Sequence, residues 1–506
     1  MIVKAMVIQG RYLDSVKLML ISRSLSSLPG VQDAVAILAT QENRGILKAT
    51  DMLVDEVLHA AETDIVVVVK ARDDDSALAA IQEASKTISD PSPTNGSRVR
   101  LALGMDEALK QGSDLCLISI AGRYAAREAR KALQAGLHVM IFSDNVSLED
   151  ELSLKRLALS KGLLMMGPDC GTAIINGVPL AFANAVPKGG IGIVSASGTG
   201  LQEVSAGIAN RGMGITQAFG TGGRDGKEAI GGLMLKACLK YLIADPATEV
   251  IVLIAKTPHP EVRKELWELI GGTSKPVIVN FMDHIEHPHL DNLHYAVSLQ
   301  TCAHLACFHY ARLHGLKYQE THEALPLHPT IQSDKRRWLR GLYSGGTLCA
   351  EARLIYKHEL GGEPYSNITN RADRQLKDPW RSIEDSLIDL GSDEYTVGRP
   401  HPMIDLSLRI KRLAAEASDP EVAVILLDVV LGYGAHPDPA SELAPAIATV
   451  DKDILIVCSV LGTAGDPQDR ASQMSMLREA GAVVFSSHHA AADYAIQAIK
   501  AIRGIS

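Results

Sequence analysis

Aromatic residues are scarce in this sequence, only 4% of 506, which leaves little surface for stacking nucleic-acid bases. No long basic block offsets the net charge of -9. Neutralising a phosphate backbone needs clustered Lys and Arg, so the balance excludes a nucleic-acid partner. Long apolar runs are missing too. A membrane span needs roughly 18 residues, and a run such as Val422 to Leu431 is short and carries Asp428 inside it. Lys4, Arg11 and Asp14 in the first turns argue against a secretory signal. A cytoplasmic protein with no membrane partner is expected. The seven cysteines, Cys116, Cys170, Cys238, Cys302, Cys307, Cys349 and Cys458, are odd in number and show no CxxC spacing. That suits buried thiols in a reducing compartment better than a disulfide framework.

What is present is ordinary globular material, 46% hydrophobic and 22% charged, enough for three or four compact units at about 100–200 residues each. Residues 1–92 alternate strand-like and helical patterns and read as a small α+β domain, ferredoxin-like in order. The turn-rich DPSPTNGS stretch, Asp90 to Ser97, reads as a linker. From 98 to 187, short apolar runs alternate with helical patterns, as in a parallel sheet of Rossmann-like type. No GxGxxG follows its first strand, so a dinucleotide site has no support. The remainder repeats itself. Ser195-Ala-Ser-Gly198-Thr199-Gly-Leu-Gln-Glu203 has a counterpart in Ser344-Gly-Gly346-Thr347-Leu-Cys-Ala-Glu351, and Asp245-Pro246 before an apolar run recurs as Asp419-Pro420. Two related α/β layers are expected, over 188–325 and 335–506, with the junction at 324–340.

The repeated Gly-Thr segments are the candidate chemistry. A helix start leaves N–H groups without intrahelical partners and carries a partial positive charge, so it receives anions. Gly198 and Gly200 permit close approach of an oxyanion, and Ser195, Ser197 and Thr199 add hydroxyls. Gly345, Gly346 and Thr347 form the second such cradle. A third glycine cluster, Gly220 to Gly226, contains Gly222, Gly223 and Arg224, the last read as a fixed cation for phosphate or carboxylate. Pro168, Asp169 and Cys170 follow a strand at the carboxyl edge of the Rossmann-like unit, where open parallel sheets bind ligands. His259, His401 and His436 each sit beside proline in a loop. His259 and His401, together with Arg399, are the candidates for polarising or proton transfer. The histidines and cysteines between 282 and 309 look metal-like, but in a helical pattern Cys302 and His309 share a face that His304 does not. No metal site is expected.

The run Gly192-Ile193-Val194-Ser195-Ala196-Ser197-Gly198-Thr199, with Gly167 to Cys170 upstream and Gly220 to Gly223 downstream, resembles the α subunit of succinyl-CoA synthetase. Gly398-Arg399-Pro400-His401 through Asp405, then Val424 to Asp428, then Leu461-Gly462-Thr463, is similar to the ligase region of the β subunit. Both on one chain behind an extra N-terminal unit resembles the FdrA family. The resemblance implies an α/β protein: a Rossmann-like CoA-binding-type domain and two flavodoxin-like ligase domains, preceded by the small α+β domain. It also implies an acyl-CoA synthetase (succinyl-CoA ligase)-like protein acting on an acyl phosphate or a CoA thioester. Two alternatives stay open: a subunit of an oxamate carbamoyltransferase using carbamoyl phosphate in allantoin and ureide breakdown, and a non-catalytic regulatory subunit. CoA is a possible ligand, companion subunits and an oligomer are expected, and the nucleotide is open. Departures from the synthetases matter. Asn280-Phe-Met-Asp-His284 stands where the phosphohistidine segment belongs, Gln202 where a Tyr is expected, and Lys256-Thr257-Pro258 where a Glu loop is expected. No ATP-grasp segment is visible, and no phosphohistidine is expected.

Overall fold

The computed structural model describes residues 1–505 apart from 12, 14, 27, 90–104, 111, 121, 283–285, 321–334 and 397–399. The expected linker, 90–97, and most of the expected junction, 324–340, lie outside the described residues. The chain forms two compact units, residues 1–111 with 397–400, and residues 112–396 with 401–506. No helix among the described residues is long and apolar enough to cross a membrane.

The first unit runs β1 (Ile2–Ile8), α1 (Ser15–Ser26), β2 (Val31–Leu38), α2 (Gln41–Ala49), α3 (Asp55–His59), β3 (Ile65–Ala71), α4 (Asp74–Ser89) and α5 (Met105–Leu109). β3 lies antiparallel between β1 and β2. Its unbroken run of β-branched residues, Ile65 to Val69, reflects burial on both faces. Ile65, Val67 and Val69 pack with Leu18, Leu25, Ala77 and Ala80 of α1 and α4, while Val66 and Val68 pack with Leu47, Met52 and Val57 from the segment of α2 and α3. Side chains alternate across a strand, so a strand covered on both sides must be apolar throughout.

The second unit opens with a parallel sheet of β4 (Leu115–Ile118), β5 (His138–Ile141) and β6 (Met165–Met166), joined by α6 (Gly122–Gln134) and α7 (Leu148–Ser160). Next come β7 (Thr172–Ile175), β8 (Val178–Ala181), β9 (Lys188–Ser195), α8 (Gly198–Asn210), β10 (Ile215–Gly220), α9 (Leu233–Ala244), β11 (Val250–Ala255), α10 (Pro260–Gly271), β12 (Val277–Phe281), β13 (Leu293–Tyr295) and α11 (Leu299–Leu313). The last layer holds β14 (Trp338–Tyr343), α12 (Gly346–Leu360), β15 (Ser386–Asp389), α13 (Asp393–Thr396), α14 (Ser407–Ala417), β16 (Val422–Val430), α15 (Pro439–Ala448), β17 (Leu455–Leu461), α16 (Arg470–Glu479), β18 (Val483–Phe485) and α17 (His488–Ile502).

Parallel pairing orders the first layer β10-β9-β11-β12-β13 and the second β15-β14-β16-β17-β18. Both orders are 2-1-3-4-5, the flavodoxin-like arrangement, so the two layers share one topology. One boundary differs from the sequence reading. The hairpin β7–β8, expected within 98–187, pairs antiparallel with β10 and extends the first ligase-type sheet. Its partner strand β10 offers a free edge, whereas the short β6 has already ended the three-stranded sheet. All nine residues of β16 are buried. Each Val, Leu or Ile there is worth roughly 1.5–3 kcal/mol relative to exposure, so Asp428 among them requires partners.

The two layers exchange helix caps. Glu203, five residues past Gly198 in α8, accepts from His488 N–H at the start of α17 in the other layer, 3.1 Å. Glu351, five past Gly346 in α12, accepts from Leu299 N–H at the start of α11, 2.8 Å. The repeated glutamate of the sequence is therefore a reciprocal cross-layer cap. Both are buried. Burial first, and Glu203 second, push Glu351 up to about 8. A carboxyl raised in the fold contributes stability that is complete below its unfolded pKa and is lost as pH rises to the folded value. Glu351→Gln keeps an oxygen for Leu299 N–H and removes the titration. The melting temperature of the variant relative to the parent should therefore rise between pH 5 and pH 9; a pH-independent difference would contradict this.

Candidate functional site

In a sheet of order 2-1-3-4-5, ligands bind beyond the carboxyl ends of the strands where the order reverses. Those points are the starts of α8, after β9, and of α12, after β14. The fold brings the two starts together. Ser197 Oγ and Thr347 Oγ1 lie 2.5 Å apart, and a Cβ on Gly345 would fall 2.7 Å from Thr199 Cγ2. Glycine at 345 is thus set by the approach of the opposite helix. Ser197 also caps α8, accepting from Gly200 N–H at 2.9 Å.

The second start is braced from behind by Asp428. Its carboxylate accepts from Ser344 N–H (2.8 Å), Gly345 N–H (2.9 Å) and Ser344 Oγ–H (3.0 Å), and lies 3.0 Å from the Arg409 guanidinium. Asp428 and Arg409 are both buried. The strand residue that looks misplaced in an apolar run therefore holds the turn into α12.

The two cradles are not equivalent. A Cβ on Gly346 would lie 2.6 Å from Asp389 Oδ2, so the second start already faces a carboxylate of the chain. A Cβ on Gly198 would meet nothing closer than Thr172 Oγ1 at 3.6 Å and Gly171 Cα at 3.9 Å. The first start therefore has more room beside its leading glycine than the second.

Asp389, Lys256 and His401 are titratable groups near the two helix starts. Asp389 is buried and its Oδ1 accepts from Gly391 N–H at 2.9 Å. Burial, opposed by that hydrogen bond and by Lys256, moves it up to about 7. Lys256, at the carboxyl end of β11, is exposed and acts on both Asp389 and Asp169. His401 lies against Gly391, whose Cβ would fall 2.7 Å from Nε2, and its ring is 5.6 Å from that of Phe182. Burial, and then Arg409, lower it to about 4, so the ring is neutral. Its Nδ1 accepts from Met403 N–H at 3.3 Å, which leaves the proton on Nε2, facing Gly391.

A CoA-ligase family model matches residues 342–498, a CoA binding domain model matches 187–284, and an AllF, heavy metal-associated domain model matches 1–100. The uncharacterized protein YahF of Escherichia coli K12 is 43% identical over 506 residues, covering 96% of each chain. This chain belongs to the FdrA family. Within the succinyl-CoA synthetase superfamily, the sulfoacetate-CoA ligase subunit SauD of Bilophila wadsworthia is 26% identical over 34% of the chain and 55% of that subunit. The succinate-CoA ligase α subunit 1 of Archaeoglobus fulgidus is 26% identical over 34% of the chain and 60% of that subunit. The chain thus spans little more than half the length of these ligase relatives. Among solved structures, the dinucleotide-forming acetyl-coenzyme A synthetase 1 of Ca. Korarchaeum cryptofilum aligns over 78% of this chain and 84% of its own, at 14% identity and a TM-score of 0.33. The CoA binding domain match falls on the first ligase-type layer and not on 98–187, the span expected to carry it.

In this FdrA-family chain the remaining candidates separate by their bonds. Ser195 Oγ donates to Ser197 C=O at 2.7 Å and accepts from Ser197 N–H at 3.0 Å, so its hydroxyl is spent on the turn. Gly200 serves the cap, since a Cβ there would press on Ser197 Oγ at 2.7 Å. Arg224, expected as a fixed cation for a ligand, has partners within the chain. It donates to Val146 C=O at 2.7 Å and pairs with Glu151 at 2.8 Å. Gly222, at φ +88°, is needed because a side chain would strike the Pro168 carbonyl, and Gly223 lies beside Asp169. Cys170 is buried and pushed to about 12 by burial, an inert thiol. His259 faces Glu228 at 3.8 Å, and His436 faces Glu442 at 3.3 Å. Gln202, in place of the expected Tyr, donates to Asn184 at 3.4 Å. Arg399 and His284 lie outside the described residues. Among the described residues no group of three His, Cys, Asp or Glu is placed to hold a metal, and His294 and His309 simply stack, 3.8 Å between centroids.

Two residues escaped the sequence reading, Asp389 and Thr172, and Lys256 entered it only as a departure from the synthetases and not as a site residue. Asp389 and Lys256 carried a usable signal, a charged residue directly at the end of a short apolar run. Because Asp428 neutralises a buried guanidinium and holds two backbone N–H groups, Asp428→Ala should cost about 3–5 kcal/mol, the usual result of stranding one partner of a buried pair. Urea unfolding measures it, and a loss below about 1 kcal/mol would show that the turn into α12 stands without this carboxylate.

Proposed function

We propose that this chain binds an acyl phosphate in the cleft between α8 and α12 and transfers the acyl group to an acceptor, with CoA as the acceptor. The observation that carries this reading is the asymmetric pair of helix starts, one open at Gly198 and one faced by Asp389. The phosphoryl oxygens take the N–H groups at Gly198 and Thr199, where the helix end favours negative charge. Lys256 adds a charge at the cleft. The carbonyl is polarised by the Nε2–H of neutral His401, a donor held in place by its packing on Gly391 and Phe182. Asp389 takes the proton from the attacking thiol. The acyl carbon to phosphate-oxygen bond breaks, the acyl–sulfur bond forms, and phosphate leaves to the α8 start. The CoA-ligase and CoA binding domain matches, and the CoA ligases among the relatives, support this acceptor.

A second reading keeps the cleft and changes the chemistry: carbamoyl phosphate as donor and oxamate as acceptor, with companion subunits. The AllF-type match over 1–100 favours it, and a donor that arrives already activated needs neither a phosphohistidine nor an ATP-grasp segment. Calorimetry with acetyl phosphate, carbamoyl phosphate, CoA, oxamate and ATP separates the two readings by which compounds bind, and a chain that binds none of them is a regulatory subunit.

Gly198→Val places a branched side chain over the open start, and phosphate-compound binding should weaken by about 1–3 kcal/mol, the scale for hydrogen bonds to a charged group. Unaltered binding would reduce the α8 start to an ordinary cap. A base with its pKa near 7 works only when ionised, so turnover should fall as pH drops below about 7. Asp389→Asn should lower turnover strongly and remove that break from the residual activity; an unchanged pH profile would remove Asp389 from the chemistry.

A further inference from the structure

Thr172 opens β7 and is 1% exposed. Its position is set on two sides. It pairs with Ala181 of β8, and its carbonyl packs on Gly220, where any Cβ would come within 2.4 Å of it. Its hydroxyl has no protein hydrogen-bond partner among the described residues. A buried hydroxyl without a partner costs free energy that valine, of the same shape, avoids. The placement of that hydroxyl is therefore informative. It lies at the start of α8, 3.6 Å from where a Cβ on Gly198 would sit, beside the first backbone N–H groups of that helix, which have no intrahelical partners.

We infer that the Thr172 hydroxyl is a further oxyanion-positioning group, donating to a phosphoryl oxygen held at the α8 start from the side opposite the helix. The inference rests on the acyl-phosphate reading of this cleft. It gives the site a donor set of two kinds. The helix N–H groups supply a fixed partial positive charge along one axis. The hydroxyl, carried by a separate strand pair, sets the rotation of the tetrahedral group about that axis, and so the direction in which the acyl carbon leaves phosphate. A planar carboxylate has no third oxygen to meet it, so Thr172 selects phosphate over carboxylates at this start.

The test uses the full chain with inorganic phosphate and acetyl phosphate as probes, measured by calorimetry, with acetate as the planar comparator. Thr172→Val should weaken both phosphate probes about tenfold, the factor for losing one such hydrogen bond. Its melting temperature should stay equal to the parent's or rise, because the unpartnered hydroxyl is gone. Thr172→Ser, which keeps the hydroxyl, should bind within about twofold of the parent, and acetate should bind all three proteins alike. If Gly198→Val loses phosphate while Thr172→Val binds as the parent does, the helix site stands and the role of Thr172 fails. Serine binding as weakly as valine would overturn it also, since shape and not the hydroxyl would then matter. A parent chain that binds neither phosphate probe removes the acyl-phosphate reading and this inference together.

Discussion

Two helix starts meeting end to end are the constraint on which the second unit is built. Each carries about half a positive charge, and Ser197 and Thr347 bring the two within one hydrogen bond of each other. Left alone, the like ends would repel. The chain answers with carboxyl groups around the α12 start, Asp428 behind it and Asp389 in front of it, and with a shared neutral hydroxyl pair between the two starts. Among the described residues, no carboxylate lies against Gly198 as Asp389 lies against Gly346, which is the asymmetry the proposed anionic ligand would answer.

The duplicated topology makes this meeting possible. Two sheets of order 2-1-3-4-5 each present a helix start at the same edge, and the reciprocal caps from Glu203 and Glu351 tie each of these helices to the last helix of the other layer. Each layer receives one helix-start acceptor from the other. The strap at Asn184 and Ala185 adds to this, both donating to Asp466 of the second layer, at 2.8 and 2.7 Å. Cross-layer polar bonds of this kind fix register more firmly than apolar contact, because a slipped pairing leaves buried donors unmet. A defined distance between the two cradles follows.

Equal layers have diverged in what they hold. The Gly-Thr segments are alike in sequence, yet one is faced by a carboxylate and the other by an unpartnered hydroxyl. Arg224 shows the opposite case. An arginine in a glycine-rich turn reads as an anion receptor, but the neighbouring helix α7 offers Glu151 within reach, and a nearly buried carboxylate claims the guanidinium. Local composition tells which groups are available. It does not tell which of them other parts of the chain consume.

The sequence by itself determined the layers and their repetition, because burial on both faces demands unbroken apolar strands and because the Gly-Thr-x-x-x-Glu spacing puts the same residues on the same turn of each helix. It also identified the two helix starts, since capping and anion affinity are local properties of a few residues. Only the tertiary structure decided that the starts face each other, that β7–β8 joins the first ligase-type sheet, that the repeated glutamates cap across the layers, and that Asp389 closes one cradle while Thr172 overlooks the other. These are contacts between residues as far apart as Glu203 and His488, and no local pattern encodes a partner that packing alone brings within hydrogen-bond reach.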